Sequence, residues 1–323
     1  MSRILITGGA GFIGYNISKI LSENRKNQID IVDNLFKGKY DSEFEDLIEK
    51  DNVNFFNLDL TDLNVYSQIE SCYDQVYHLA AVVGVKNVME NPVQTLKVNS
   101  ISTIYLLEHI KEMKNNPKLL FTSSCENYAG AVQKFDIKIP TGEDVPLCIN
   151  DVYNPRWTYA ASKILGEIAC LHYSKLYNFR TTIVRYHNIY GPRMGIYHVI
   201  PEFILRLKKN QAQMEMYGGY QFRSFCFVTD AAKMTIKLMN DFQADSKVVN
   251  VGGEEFIQIS DIAKTLSNIM GISPEFIEKN APEGSVDKRM PDLNLIKDLG
   301  NYISEVPFIQ GLKETFDWYN NHY

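Results

Sequence analysis

The segment Thr7-Gly8-Gly9-Ala10-Gly11-Phe12-Ile13-Gly14 follows directly on the apolar run Ile4-Leu5-Ile6 and opens into helical spacing over residues 12–24. Glycines at 9, 11 and 14 permit a tight turn and a close backbone approach. The N-terminus of a helix then presents unpaired N–H groups and a partial positive charge, which suits a pyrophosphate. Asp33 ends the second apolar run, Ile29-Asp30-Ile31-Val32, 19 residues after Gly14. A carboxylate there can accept hydrogen bonds from an adenosine ribose and repels a 2′-phosphate, so the pattern predicts NAD rather than NADP. A glycine-rich turn with an ordinary strand-end aspartate is the plainer reading, and the strand–helix–strand context argues against it.

The runs 54–56, 76–79, 119–121 and 181–184 continue the buried-strand pattern, and residues 62–71, 92–114 and 155–177 carry helical spacing. Strand and helix in alternation predict an α/β fold, a Rossmann-type doubly wound parallel sheet. Prolines 192, 274, 282 and 291 and the pair Gly218-Gly219 punctuate shorter elements towards the C-terminus, which predicts a smaller mixed α/β domain. The expected division is a cofactor domain over 1–180 with a return segment at about 225–255, and a substrate domain over 181–224 and 256–323.

With 45% hydrophobic and 22% charged residues the chain is globular in composition. Its net charge of −6 supplies no basic field for a nucleic acid partner. Five scattered cysteines suggest neither a zinc site nor a disulfide framework, and no metal is expected. Neither a signal sequence nor a span of about 20 apolar residues is evident, so the expectation is a cytoplasmic protein without a membrane partner.

Tyr159 and Lys163 stand four apart in a helical stretch and share a face. An ammonium near a phenol favours the phenolate, so Lys163 is expected to lower the pKa of Tyr159 towards that of a general base. Phe121-Thr122-Ser123-Ser124 is a strand ending in hydroxyls one crossover earlier.

The glycine motif, Ser124 and Tyr159-x-x-x-Lys163 together resemble the extended short-chain dehydrogenase/reductase family of NAD-dependent nucleotide-sugar epimerases, dehydratases and decarboxylases, over essentially the whole chain. The resemblance implies that Gly8, Gly11, Phe12, Ile13, Gly14, Asp33, Asn34, Asp59, Leu60, Ala80, Ala81 and Asn99 meet the cofactor, with Tyr159 and Lys163. It implies that Ser124, Cys125, His187, Asn188, Arg223 and Arg289 meet the substrate, a nucleotide-diphosphate sugar. Two arginines independently suit a diphosphate, because guanidinium forks match its oxygens. The catalytic set would be Ser124, Glu126, Tyr159 and Lys163, oxidising carbon 4 of the sugar, and the helices over 92–114 and 155–177 would meet a second copy in a homodimer.

The branch is less uniform. The 4,6-dehydratases carry Asp-Glu after the hydroxyl residue where this chain has Cys125-Glu126, which points away from simple dehydration. Cys125-Glu126, Gly191-Pro192-Arg193-Met194 and Lys288-Arg289-x-Pro291-Asp292 resemble glucuronate decarboxylases. His187-Asn188-Ile189-Tyr190-Gly191-Pro192 and Ala281-Pro282-Glu283-Gly284 resemble GDP-mannose 3,5-epimerase. The leading expectation is a 4-dehydrogenase or epimerase of a GDP-linked manno-configured hexose or heptose. The alternative is a UDP-sugar decarboxylase or 4-epimerase, and outside enzymes a silent dinucleotide sensor. Ordinary packing is the plain reading for Cys125, Cys226, Tyr217, Tyr220 and Phe222.

Overall fold

The structure is a computed structural model and describes residues 2–281 and 285–323, so part of the Ala281–Gly284 motif lies outside the described residues. It separates into two compact units: Met1–Asn127, Leu147–Tyr186 and Ala232–Val249 form one, and Tyr128–Pro146, His187–Ala231 and Asn250–Tyr323 the other.

The first unit is built on strands β1 (Ser2–Thr7), β2 (Asn27–Val32), β3 (Val53–Phe56), β4 (Gln75–His78), β5 (Lys118–Ser124) and β6 (Arg180–Tyr186). With Val248–Val251 they form a seven-stranded sheet in the order Val248–Val251, β6, β5, β4, β1, β2, β3. The β1–β2, β2–β3, β1–β4, β4–β5 and β5–β6 pairings are parallel. Helices cover both faces of such a sheet, which is why Ile4-Leu5-Ile6 reads as an unbroken apolar run and is buried throughout. Strand order reverses between β1 and β4, and the loops after these two strands leave the sheet side by side there.

The first expected helix is α1 (Phe12–Ser22). Two long helices, Pro92–Lys111 and Trp157–Tyr177, lie against each other. Pro92 suits the first turn of its helix, and the second helix ends on Asn178 in the left-handed conformation. The helical spacing over 62–71 yields only a 3-10 turn, Leu63–Gln68: Asp62 caps it at Asn64, and Ile69 is already extended. The Trp157 helix presses closely on β5. A Cβ added at Gly166 would fall 2.3 Å from the Phe121 ring. Leu106, Leu107, Ile110, Leu119, Phe121, Cys170 and Ile183 fill the core on this face.

The second unit is mixed α/β. Gln213–Tyr217 pairs in parallel with Glu275–Lys279, while Phe222–Ser224 lies between Phe256–Gln258 and Lys288–Arg289. Helices Val199–Lys209, Ile259–Met270 and Phe308–His322 pack beside them, and Tyr190 sits among Phe225, Phe227 and Phe308. Cys226 is core as expected. Tyr217 and Tyr220 instead stand about half exposed, and Phe222 stacks on Phe256.

At the end of β4, His78 is fully enclosed, with Nδ1 2.7 Å from Thr7 Oγ1 and Nε2 3.0 Å from Thr103 Oγ1. Thr103 donates its hydroxyl to the Asn99 carbonyl, so it must accept from His78 Nε2–H, and Nδ1 accepts from Thr7. Burial and the Lys163 ammonium push the imidazole down to about 3. The unfolded chain therefore takes up this proton first as pH falls below about 6.5, and stability present above that value is lost progressively towards pH 3. We expect His78→Asn to flatten this acid limb by a few kcal/mol in urea unfolding measured from pH 7 to pH 4. An unchanged slope would assign the limb to other groups.

Candidate active site

The loop after β1 turns at Gly8, whose φ of +74° and whose approach to Ala80 leave no room for a side chain: a Cβ would lie 2.6 Å from the Ala80 nitrogen. At Gly14 a Cβ would lie 2.2 Å from the Gly8 carbonyl oxygen. Helix α1 therefore starts directly behind the loop, with Gly11 at its N-cap and no side chain capping the N–H groups of Phe12 and Ile13. Asp33, just past β2, accepts from Ala10 N–H at 3.1 Å and from Leu35 N–H at 2.8 Å. Burial pushes its carboxyl above the usual range, against these bonds and one from Gly11. Asn34 donates to Asp59 at 3.3 Å. Burial would raise Asp59, but hydrogen bonds from Thr61 and Asn34 outweigh it and hold the group low. Leu60 is buried beside them, while Ala80 and Ala81 are partly open at the end of β4. A side-chain-free cradle, an uncapped helix start and a strand-end carboxylate match the phosphates and ribose of NAD.

Asn99 is enclosed and committed within the protein. It accepts from Val82 N–H at 2.7 Å and donates to the Val82 carbonyl and to Ser162 Oγ, and Ser162 donates to the Tyr159 carbonyl. Its side chain thus fixes the loop beyond Ala80 and Ala81 to the helix that bears Tyr159.

Tyr159 and Ser124 are hydrogen-bonded to each other. Ser124 Oγ also accepts from the Glu126 N–H at 3.2 Å, which winds Cys125–Tyr128 into a 3-10 turn and brings the Glu126 carboxylate to the same locality. Cys125 is buried there. Lys163 donates to the Thr122 carbonyl at 2.8 Å, and its Nζ lies 5.0 Å from the Phe121 ring centre and 5.9 Å from that of Tyr159. Burial pushes Lys163 down to about 8, against the pull of Cys170 and Glu167. The expected lowering of Tyr159 by Lys163 is not what this geometry produces. Burial raises the phenol and Glu126 adds to the rise, with Ser124 opposing, because the ammonium is turned to Thr122.

Arg156 was not among the expected site residues. Its guanidinium lies 4.0 Å from Glu126, both side chains largely enclosed. A cation at the N-cap of the Trp157 helix opposes the helix dipole, and that misplaced charge is the signal that could have marked it in the sequence.

The remaining expected residues belong to the second unit. His187 Nε2 donates to Asn250 Oδ1 at 3.1 Å, an oxygen that also accepts from Tyr128. Asn188 adopts φ of +43°, tolerated by asparagine, and its side-chain oxygen is buried. Arg223 and Arg289 are direct partners in the parallel ladder of Phe222–Ser224 with Lys288–Arg289. The Arg223 guanidinium donates to the Phe222 and Asp287 carbonyls and to Gln221 Oε1.

A model of the NAD dependent epimerase/dehydratase family matches residues 4–252. The chain is 34% identical to the UDP-N-acetyl-alpha-D-glucosaminuronate decarboxylase of Bacillus cytotoxicus, over 98% of this chain and 97% of that protein. It is 30% identical to UDP-glucuronic acid decarboxylase 1 of Xenopus tropicalis, over 98% of this chain and 72% of that protein. Its fold matches UDP-glucuronic acid 4-epimerase from Bacillus cereus, solved with UDP-glucuronic acid and NAD, with a TM-score of 0.87 and 25% identity over 99% of this chain and 100% of that one. All three are named for uridine-linked sugars, so they favour the UDP-sugar alternative of the sequence reading over the GDP-linked one.

The Asp33 geometry yields a cofactor test. Asp33→Asn keeps an acceptor oxygen for one of the Ala10 and Leu35 N–H groups, which meet different carboxylate oxygens, and removes the charge, so calorimetry should show weaker NAD binding and a preference over NADP reduced by about tenfold. An unchanged ratio would remove Asp33 from cofactor selection.

Proposed function

This chain belongs to the NAD dependent epimerase/dehydratase family, and from that premise we propose that it oxidises carbon 4 of a UDP-linked hexuronic acid and releases the carbon 5 carboxyl as carbon dioxide. The observation that carries the reading is the Glu126–Arg156 pair beside Ser124 and Tyr159: a carboxyl to manage a proton after oxidation, and a guanidinium suited to an acidic sugar.

In this reading Tyr159 takes the proton of the 4-hydroxyl and Ser124 hydrogen-bonds the same oxygen, with the Lys163 ammonium one helical turn away and held by the Thr122 carbonyl. The Gly8–Gly14 loop and Asp33 would hold NAD, which when bound would provide a hydride acceptor for carbon 4. The ketone at carbon 4 makes the substrate a β-keto acid. The bond from carbon 5 to the carboxyl breaks, its electron pair passes into the ketone as an enolate, and carbon dioxide leaves. Carbon 5 then takes a proton, which Glu126 delivers directly or through water. Arg223 and Arg289 bind the diphosphate. The 4-epimerase reading differs in that the carboxyl is retained and carbon 4 inverts; the fold match to the Bacillus cereus enzyme favours it as the second choice.

Incubation with UDP-glucuronic acid, UDP-N-acetylglucosaminuronic acid, UDP-glucose and GDP-mannose, followed by NMR of the products, tests the reading. Loss of the carboxyl from a UDP-uronic acid is expected. A carbon 4 epimer with the carboxyl retained would establish the second reading, and turnover of GDP-mannose alone would overturn both. Tyr159→Phe should lower turnover by about a hundredfold or more with nucleotide-sugar binding kept, the scale of a lost general base. Glu126→Gln should slow solvent proton incorporation at carbon 5 by a similar factor.

We also propose a homodimer. Val93 and Leu96 on the Pro92 helix, and Leu165, Ile168 and Leu176 on the Trp157 helix, expose apolar surface that a second copy would bury in a four-helix interface. Sedimentation at micromolar concentration should give the dimer mass, and Ile168→Glu with Leu165→Glu should give a monomer. A wild-type monomer would exclude the interface.

A further inference from the structure

Glu167 follows Lys163 by one helical turn and faces the sheet, where apolar residues are the rule. Its side chain is 5% exposed. A carboxylate so enclosed persists only if its lone pairs are met. Oε1 accepts from Ser123 Oγ at 2.6 Å, Asn127 Nδ2 at 2.8 Å and Arg185 Nε at 2.8 Å. Oε2 accepts from Arg185 Nη2 at 2.7 Å, completing a two-pronged ion pair. Asn127 also donates to Ser123 Oγ at 3.0 Å, which ties the 3-10 turn to the end of β5.

The elements tied by this one carboxylate are those that carry the proposed chemistry. Ser123 precedes Ser124 at the end of β5, Asn127 follows Glu126 in the 3-10 turn, Arg185 lies near the end of β6, and Glu167 shares its helix with Tyr159 and Lys163. We propose that Glu167 is a positioning residue: its buried side chain holds Ser124 and Glu126 in register with Tyr159 and sets a carboxyl group one helical turn from the Lys163 ammonium. The inference rests on the reading of Tyr159, Lys163 and Ser124 as the reacting groups.

Most of the groups around Lys163 are neutral. From β4 comes His78, neutral; beyond β5 lie the Cys125 thiol and Glu126 near Tyr159. From its own helix come Tyr159 and Cys170, whose burial keeps them protonated, and Glu167 itself, with Arg185 of β6 bound to it. Cys170 and then Glu167 oppose the lowering of this ammonium by burial, and of the two Glu167 is the carboxyl group.

Glu167→Gln keeps the size and one acceptor oxygen but removes the charge. In the protein without sugar, NMR titration of the Lys163 Cε should show its midpoint lowered by about one pH unit or more. The alkaline limb of kcat, where the ammonium is lost as pH rises, should move to lower pH by the same amount. At the optimum kcat should fall on the order of tenfold to a hundredfold with KM nearly unchanged. This variant leaves the Arg185 guanidinium buried without its carboxylate, so Glu167→Gln with Arg185→Met is the companion: it should regain thermal stability while the Lys163 midpoint and kcat stay low. A purely structural Glu167 would give the opposite, a wild-type midpoint in both variants and kcat restored with stability in the double variant, and would overturn the inference. If Tyr159→Phe leaves turnover intact while the Lys163 midpoint still falls in Glu167→Gln, the assignment of the base is at fault and the electrostatic role of Glu167 survives.

Discussion

A line of buried hydrogen bonds runs across the first unit, from Ala80 N–H to Thr7, His78, Thr103 and the Asn99 backbone, and from the Asn99 side chain through Ser162 to the Tyr159 carbonyl. Its members come from β1, β4, the Pro92 helix and the Trp157 helix, the four elements that frame the cofactor loop and the reactive phenol. Inside a protein each unsatisfied polar atom is costly, so the line is closed as one unit. The local fold of the site depends on this closure: the loop beyond β4 cannot shift without freeing Asn99, and Asn99 cannot turn without releasing Ser162 from beneath Tyr159.

Electrostatics at the site follow from the same enclosure. Tyr159 is pushed up, Lys163 down and His78 far down, all with burial as the leading cause. The protein thus favours neutral forms where a buried group lacks a nearby opposite charge, whereas the Glu167 carboxyl is met by the Arg185 guanidinium at 2.7 Å. The difference between Tyr159 and the expectation for a Tyr–Lys pair lies in aim rather than spacing: four residues put both on one face, but the ammonium is turned to the Thr122 carbonyl.

The sheet was legible in the sequence because parallel strands buried on both faces leave unbroken apolar runs, and the glycine motif was legible because backbone crowding at Gly8 and Gly14 admits no substitute. The helical pattern over 62–71 misled because a 3.6-residue period also arises in a short turn whose apolar members merely anchor it, as Tyr66 does through the Leu60 carbonyl. Ser124, Glu126, Tyr159 and Lys163 could be gathered from spacing and resemblance. Arg156 was missed, since arginine is usually a surface residue: a cation at a helix N-cap was its one mark in the sequence, and its use shows when Glu126 is placed beside it. Glu167 was equally silent: its three partners, Ser123, Arg185 and Asn127, come from β5, β6 and a turn, and no local pattern joins them.

The contact between Gly166 and Phe121 sets how far the Trp157 helix stands from β5, and therefore how far Tyr159 stands from Ser124. The separation is governed by an absent methyl group, three residues beyond Lys163 and in contact with no reacting atom. Drift at this position is not graded, because even alanine would wedge the helix away from the strand, while the ring beneath it could shrink and leave a void. Residues 121 and 166 can therefore change only together, as a volume-matched pair, and in a divergent relative with a bulkier side chain at 166 a smaller partner at 121 is the mark of a spacing that has been preserved.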